Sequence, residues 1–175
     1  MEYEVIYSKR RSVSLSVKNG KIIVRAPLRF PEERIREIVA KHTSWLTKHL
    51  EKDKERRALI EKITPEKEKE LRREAKLYLT EKTEQFSRIM GLKYGRITIT
   101  GAKGRFGSCS SKGNISYSYL LMLCSETARE YVVVHELAHL VEMNHSQRFY
   151  KIIEKYMPDY KERKKQLLTY KSCNP

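Results

Sequence analysis

The sequence predicts an α+β fold, and three observations carry that expectation. Residues 12–26 alternate polar and apolar side chains around an Asn-Gly pair. Residues 31–90 repeat apolar side chains at helical spacing behind two proline-marked starts. Residues 95–120 return to short β-type segments, and an apolar helical stretch follows them.

Each element has its own signal. Residues 3–8 are a candidate strand. Residues 12–18 and 21–26 read as the arms of a hairpin, since Asn19-Gly20 suits a turn whose two central residues both take positive φ. The N-terminal part is therefore expected to consist of β-hairpins. Pro31 opens a helix whose apolar side carries Ile35, Ile38, Val39, Trp45, Leu46 and Leu50. Trp45 is expected as a core anchor. His42 and His49 fall on the polar side, two turns apart and too distant to clamp one metal together. Residues 51–63 are a charged continuation or connector. Thr64-Pro65 starts a second long helix, with threonine as cap and proline in the first turn. It runs through Leu71, Ala75, Leu79, Phe86 and Ile89 to a stop at Gly91. Ile97–Thr100 is a strand, Gly101, Gly104 and Gly107 mark turns, and residues 114–120 alternate as a further strand. Ser125 caps the next helix, in which residues 131–134 are expected to be buried. Two more helical segments, about 146–157 and 159–171, lie either side of Pro158-Asp159.

The 175 residues suit a single domain, 1–175, with an N-terminal part at 1–63 and a second part at 64–175. No apolar run approaches the ~20 residues of a membrane span, and the first residues lack a signal-peptide core. Cys109, Cys124 and Cys173 form no CxxC pair, which fits reduced thiols and a cytoplasmic location. The formal net charge of +15 is spread along the chain: +6 over 1–50, +2 over 51–82 and +7 over 83–175. A spread excess keeps a protein soluble and permits contact with nucleic acid, though no RNP-type aromatic motif or zinc-finger spacing accompanies it.

Residues 135–145 read His-Glu-Leu-Ala-His-Leu-Val-Glu-Met-Asn-His, which holds three of the chain's five histidines. His135 and His139 are four apart, so on a helix they share one face and can grip one Zn²⁺. His145 is the favoured third metal ligand, reached once the helix has stopped, with Asn144 suited to the left-handed stop. Glu142 and Glu154 are competing candidates. Three protein ligands and one water make a catalytic rather than a closed zinc site. Zinc would lower the pKa of its water towards ~7, and Glu136 would act as catalytic general base.

Taken together, Arg105-Phe106-Gly107-Ser108-Cys109-Ser110, Gly113-Asn114-Ile115-Ser116, the stretch 131–140 and Asn144-His145-Ser146-Gln147-Arg148-Phe149-Tyr150 resemble the YgjP-like metallopeptidase family. The resemblance covers nearly the whole chain. It departs at Phe106 and Tyr150, where the family usually has Trp. It implies a zincin-like active-site helix carrying the HExxH motif, with His135, His139 and His145 as metal ligands and Glu136 as base. The window also resembles the SprT-like and WLM proteases, some of which cleave proteins crosslinked to DNA, a link by analogy alone.

The function expected is zinc-dependent hydrolysis of peptides or proteins. Three rivals remain open: a DNA-associated protease, a non-proteolytic amide hydrolase, and a zinc-stabilised binding module. Other residues attract smaller expectations. The strand at 114–120 is either the edge beside the cleft, to which a peptide would add as a further strand, or an ordinary sheet strand. Tyr150 or Tyr156 is a candidate oxyanion donor. Arg105 and Ser108 are candidates for the cleft floor or for fixing the Gly107 turn. Cys109 is either a thiolate that blocks the zinc or a small buried residue.

Overall fold

A computed structural model describes residues 1–172, together with their side chains except at 56, 59 and 168–172. Cys173 lies outside the described residues. The chain divides into two compact units, one built on Met1–Lys62 and the other on Ile63–Tyr170.

The first unit holds β1 (Tyr3–Ser8), β2 (Ser14–Lys18), β3 (Lys21–Pro27), α1 (Glu32–Lys41) and α2 (Thr43–Glu61). Asn19 and Gly20 take φ of 53° and 75°, which closes the β2–β3 hairpin as their residue types predict. β1 forms no second hairpin. It pairs parallel with β3, from Tyr3 opposite Ile22 to Ser8 opposite Pro27, giving the order β1-β3-β2. The central strand is the one whose inward face, Ile22, Val24 and Ala26, is fully buried against Ile35, Val39 and Leu46. The hairpin turn is also tied to α2: Gly20 N donates to Asp53 Oδ2 at 2.6 Å, and Arg57 lies 3.2 Å from the same oxygen.

The helix expected from Pro31 onward breaks at His42, and Thr43 Oγ1 bonds back to the carbonyls of Val39 and Ala40. Trp45 is not the core anchor expected. After the break Leu46 takes the inward position, and Trp45, about 100° round the helix, is 42% exposed and stacked on His49 at 3.9 Å.

The second unit opens with α3 (Pro65–Met90). Thr64 Oγ1 caps it by accepting from Lys67 N, and Gly91 ends it in the left-handed conformation. β4 (Ile97–Thr100), β5 (Gly107–Cys109) and β6 (Ile115–Ser118) form a sheet in the order β4-β6-β5, with β4 parallel and β5 antiparallel to β6. Two expectations change here. Gly107 opens a strand rather than a turn. The strand at 114–120 ends at Ser118, whose hydroxyl caps a 3-10 turn over Tyr119–Leu123. β6 also lies in the middle of the sheet, because Ile115 and Tyr117 are the fully buried pair.

α4 (Glu126–Ala138) follows, capped by Ser125, then α5 (Gln147–Tyr156) and α6 (Tyr160–Ser172). Tyr131, Val132, Val133 and Val134 are buried within α4. Burial against α3 overrides their β preference. Thr83 of α3 meets the Tyr117 hydroxyl at 3.0 Å, which joins helix to sheet. Among the described residues no helix is long and apolar enough to cross a membrane.

Glu130 ties three helices together. It accepts from Lys82 of α3 at 2.7 Å and from Arg163 of α6 at 2.6 Å. Burial pushes its carboxyl up, but the bonds from Lys82 and Arg163 outweigh that and hold it below the usual range. A carboxyl lowered in the folded state contributes stability above its unfolded pKa of about 4.3 and loses it as the pH falls through the folded value. Glu130→Gln is expected to lower stability at neutral pH by about 1–2 kcal/mol and to flatten the loss below about pH 4.3. Urea unfolding across pH measures both, and a variant with the wild-type pH slope would rule this linkage out.

Candidate metal centre

The last turn of α4 presents His135 and Glu136. The helix then ends at Ala138, with His139 as its C-cap. Leu140 N bonds to Leu137 O, while Val141 N and Glu142 N both reach Ala138 O. The chain thus leaves in a tight turn. Asn144 is not left-handed, since positive φ among the described non-glycine residues occurs at Asn19 and Arg29. The helix is capped at His139, five residues before Asn144, where carbonyls already in the helix accept the turn's amides. Ser146 then caps α5 by accepting from Phe149 N.

This path brings His145 back over the end of α4. His145 Nε2 lies 3.1 Å from His135 Nε2. Ligating atoms of His135, His139 and His145 all fall within 4.8 Å of one another, the group among the described residues best suited to a metal ion. Two nitrogens on one tetrahedral zinc, each about 2.0–2.1 Å from it, would sit about 3.3 Å apart, so the donor set fits and the His135–His145 pair already has that spacing. Neither Glu142 nor Glu154 belongs to the group. The Glu142 carbonyl instead accepts from His139 Nδ1 at 3.1 Å, so it orients a candidate ligand. A carbonyl only accepts, so Nδ1 carries the proton and Nε2 keeps its lone pair. Burial holds the His139 imidazole below its usual pKa, in the neutral form that ligates; the Glu142 carbonyl pulls the other way and His145 adds to the lowering.

Phe149 carried no role in the sequence reading beyond its place in the 144–150 stretch. It is fully buried on α5, and its ring lies 4.5 Å from His139 and 4.9 Å from both His135 and His145, centroid to centroid. It forms an apolar floor under all three imidazoles. The available signal was its place four residues after His145, in the first turn behind the Ser146 cap. On the other side of His135, the Tyr131 hydroxyl lies 3.5 Å from Nδ1.

Glu136 is 4% exposed, and its Oε2 has no hydrogen-bond partner among the described residues. Burial pushes its carboxyl up to about 8, opposed by the Arg105 guanidinium. It lines a cleft of about 290 Å³ with Arg105, Gly107, Ser108, Cys109, Met143 and the three histidines. The strand beside the cleft is therefore β5, not the expected 114–120 segment, which the sheet encloses on both sides. Cys109 lies in the cleft as a thiol, since burial and then the Glu136 charge push its pKa up. Tyr150 and Tyr156 stand outside the cleft lining. Tyr150 accepts from Lys164 at 3.4 Å, and Tyr156 reaches Met90 O at 3.5 Å.

A family model described as "YgjP-like, metallopeptidase domain" matches residues 11–70 and 58–170. The chain belongs to the YgjP-like metallopeptidase family. As such it is a metal-dependent peptidase, with peptides or proteins as its substrates. Its match spans both units. Two solved structures are similar to it. The metallopeptidase zymogen abylysin of Pyrococcus abyssi is 27% identical with a TM-score of 0.48, over 52% of this chain and 92% of that one. The metallopeptidase zymogen jannalysin of Methanocaldococcus jannaschii is 17% identical with a TM-score of 0.46, over 52% and 94%. No curated protein matches the sequence.

Phe149→Leu removes the ring beneath the histidines while keeping the site apolar. It is expected to cost about 1–2 kcal/mol of stability by urea unfolding. Wild-type stability in this variant would show that the ring contacts carry no packing energy.

Proposed function

We propose that this YgjP-like chain is a zinc peptidase in which His135, His139 and His145 hold the metal and Glu136 is the general base. The observation that carries the reading is the meeting of three imidazoles, within 4.8 Å of one another, beside a buried carboxyl oxygen that has no partner among the described residues. When bound there, zinc supplies Lewis acidity and lowers the pKa of a water ligand towards ~7. The remaining chemistry belongs to the chain. Against its burial, the Glu136 carboxyl would be favoured in its ionised form by a cation on the three imidazoles. As a carboxylate, Glu136 would take the proton of the attacking water and return it to the leaving amine nitrogen. Phe149 keeps water from the face of the imidazoles that it covers. His139 is fixed as the Nδ1–H tautomer by the Glu142 carbonyl. β5 ends its sheet and lines the cleft, so an extended peptide has an edge to pair with beside Glu136. The family match crosses both units, which supports treating 1–175 as one functional domain. The protein is read as cytoplasmic, where Cys109 and Cys124 stay reduced.

Elemental analysis of protein purified without a tag or metal column is expected to give about one zinc per chain. His135→Ala/His139→Ala should carry almost none, and His145→Ala should lose most of its zinc on dialysis. Glu136→Gln should keep the zinc and lower hydrolysis of denatured casein by about 10³-fold. A wild type that takes up no zinc, or a Glu136→Gln variant that cleaves casein at the wild-type rate, would overturn the reading.

A further inference from the structure

Gly107 opens β5 and sits opposite Tyr117 of β6. Just before it, the Phe106 carbonyl accepts from Ser118 N at 2.8 Å, so the backbone here is held to the sheet. A Cβ placed on Gly107 would lie 2.7 Å from Glu136 Cγ and 2.8 Å from Cδ, and closer still to Oε1. Ordinary carbon contacts are about 3.5–4.0 Å. The Glu136 carboxyl group therefore occupies the volume that a side chain at 107 would fill. The backbone of Gly107 does not itself require glycine, since the positive-φ glycines are Gly20, Gly91 and Gly113. What glycine supplies at 107 is space.

Neither side of this contact can yield cheaply. The conflict reaches the Glu136 stem at Cγ, and that residue is 4% exposed on a helix whose neighbours Val134, Leu137 and Ala138 are fully buried. On the other side, β5 is registered to β6, and Tyr117 of β6 is fully buried with its hydroxyl on Thr83 of α3.

We propose that Gly107 is a positioning residue for Glu136, its missing side chain leaving the slot that fixes the carboxyl group beside the three imidazoles. The inference rests on the reading of Glu136 as general base. A methyl group at 107 would push the carboxyl out of that slot, and a displacement of about 1 Å at a reacting group costs about 10²-fold in rate.

Two measurements on the full chain test it. The first is thermal unfolding of metal-stripped wild type, Gly107→Ala, Glu136→Ala and the double variant. Gly107→Ala is expected to lower Tm by about 5 °C while Glu136 is present. In the Glu136→Ala background the same change should cost less than about 1 °C, because the conflict is gone. An equal cost in both backgrounds, or no cost in either, overturns the proposal. The second is steady-state hydrolysis of denatured casein by zinc-loaded protein. Gly107→Ala should keep the wild-type zinc content and a KM within about 2-fold, while kcat falls about 100-fold. An active wild type with an equally active Gly107→Ala sinks this inference alone. A wild type with neither zinc nor hydrolysis sinks the peptidase reading and this inference with it.

Discussion

A carboxyl group buried to 4% exposure, with one oxygen lacking a partner among the described residues, is the constraint on which the second unit turns. Leaving such an oxygen unsatisfied costs on the order of 1–3 kcal/mol. The surrounding structure must offset that cost and hold the group still. α4 does so by burying most of its last two turns, including a run of β-branched residues that would prefer a strand. The helix is fastened to its neighbours through Glu130, which is bonded from α3 and from α6. The sheet closes the remaining side, with β5 laid against Glu136 where only a glycine leaves room.

The same arrangement explains why the imidazoles converge without a special backbone conformation. His135 is on the helix, His139 caps it, and the amides after the cap are taken up by carbonyls of the last turn. This tight exit leaves His145 immediately before the Ser146 cap of α5, and α5 in turn delivers Phe149 beneath all three rings. Two helix ends and one buried aromatic are enough to gather the group.

Much of this was legible in the sequence, because it is written in local rules. The Asn19-Gly20 turn, the Thr64 and Ser125 caps, the Gly91 stop and the spacing of His135, Glu136 and His139 each depend on residues within a few positions of one another. Trp45 was misread because its size was weighed above its phase: Leu46, seven residues after Val39, continues the buried face, and Trp45 falls about 100° away from it. The 114–120 segment was left open between a cleft edge and an ordinary sheet strand, because alternation shows that a strand is half or wholly buried, not which neighbours it has. Phe149 and Gly107 owe their roles to contacts across α5, α4 and β5. Their sequence surroundings say helix and turn, and only the packing shows floor and slot.

The three candidate ligands also differ in how firmly the protein holds them, and that ordering bears on the reading proposed here. His139 is buried and hydrogen-bonded at Nδ1, His135 is half-buried on the helix, and His145 is exposed. An ion held by all three would therefore gain least from preorganisation at His145 and would contribute most to order there, since a ligand that binds only the assembled site stabilises it by mass action. Half-buried His135, buried His139 and buried Glu136 sit at the end of α4, which packs on α3 and the sheet and is tied through Glu130 to α3 and α6. The side that binding would complete is the exit turn, where Val141 and Met143 are exposed and Met143 forms part of the cleft wall. Under the reading proposed above, an ion on all three imidazoles would order this exit segment most, while Glu136 stays on a helix already packed against α3 and the sheet and tied to α6 through Glu130.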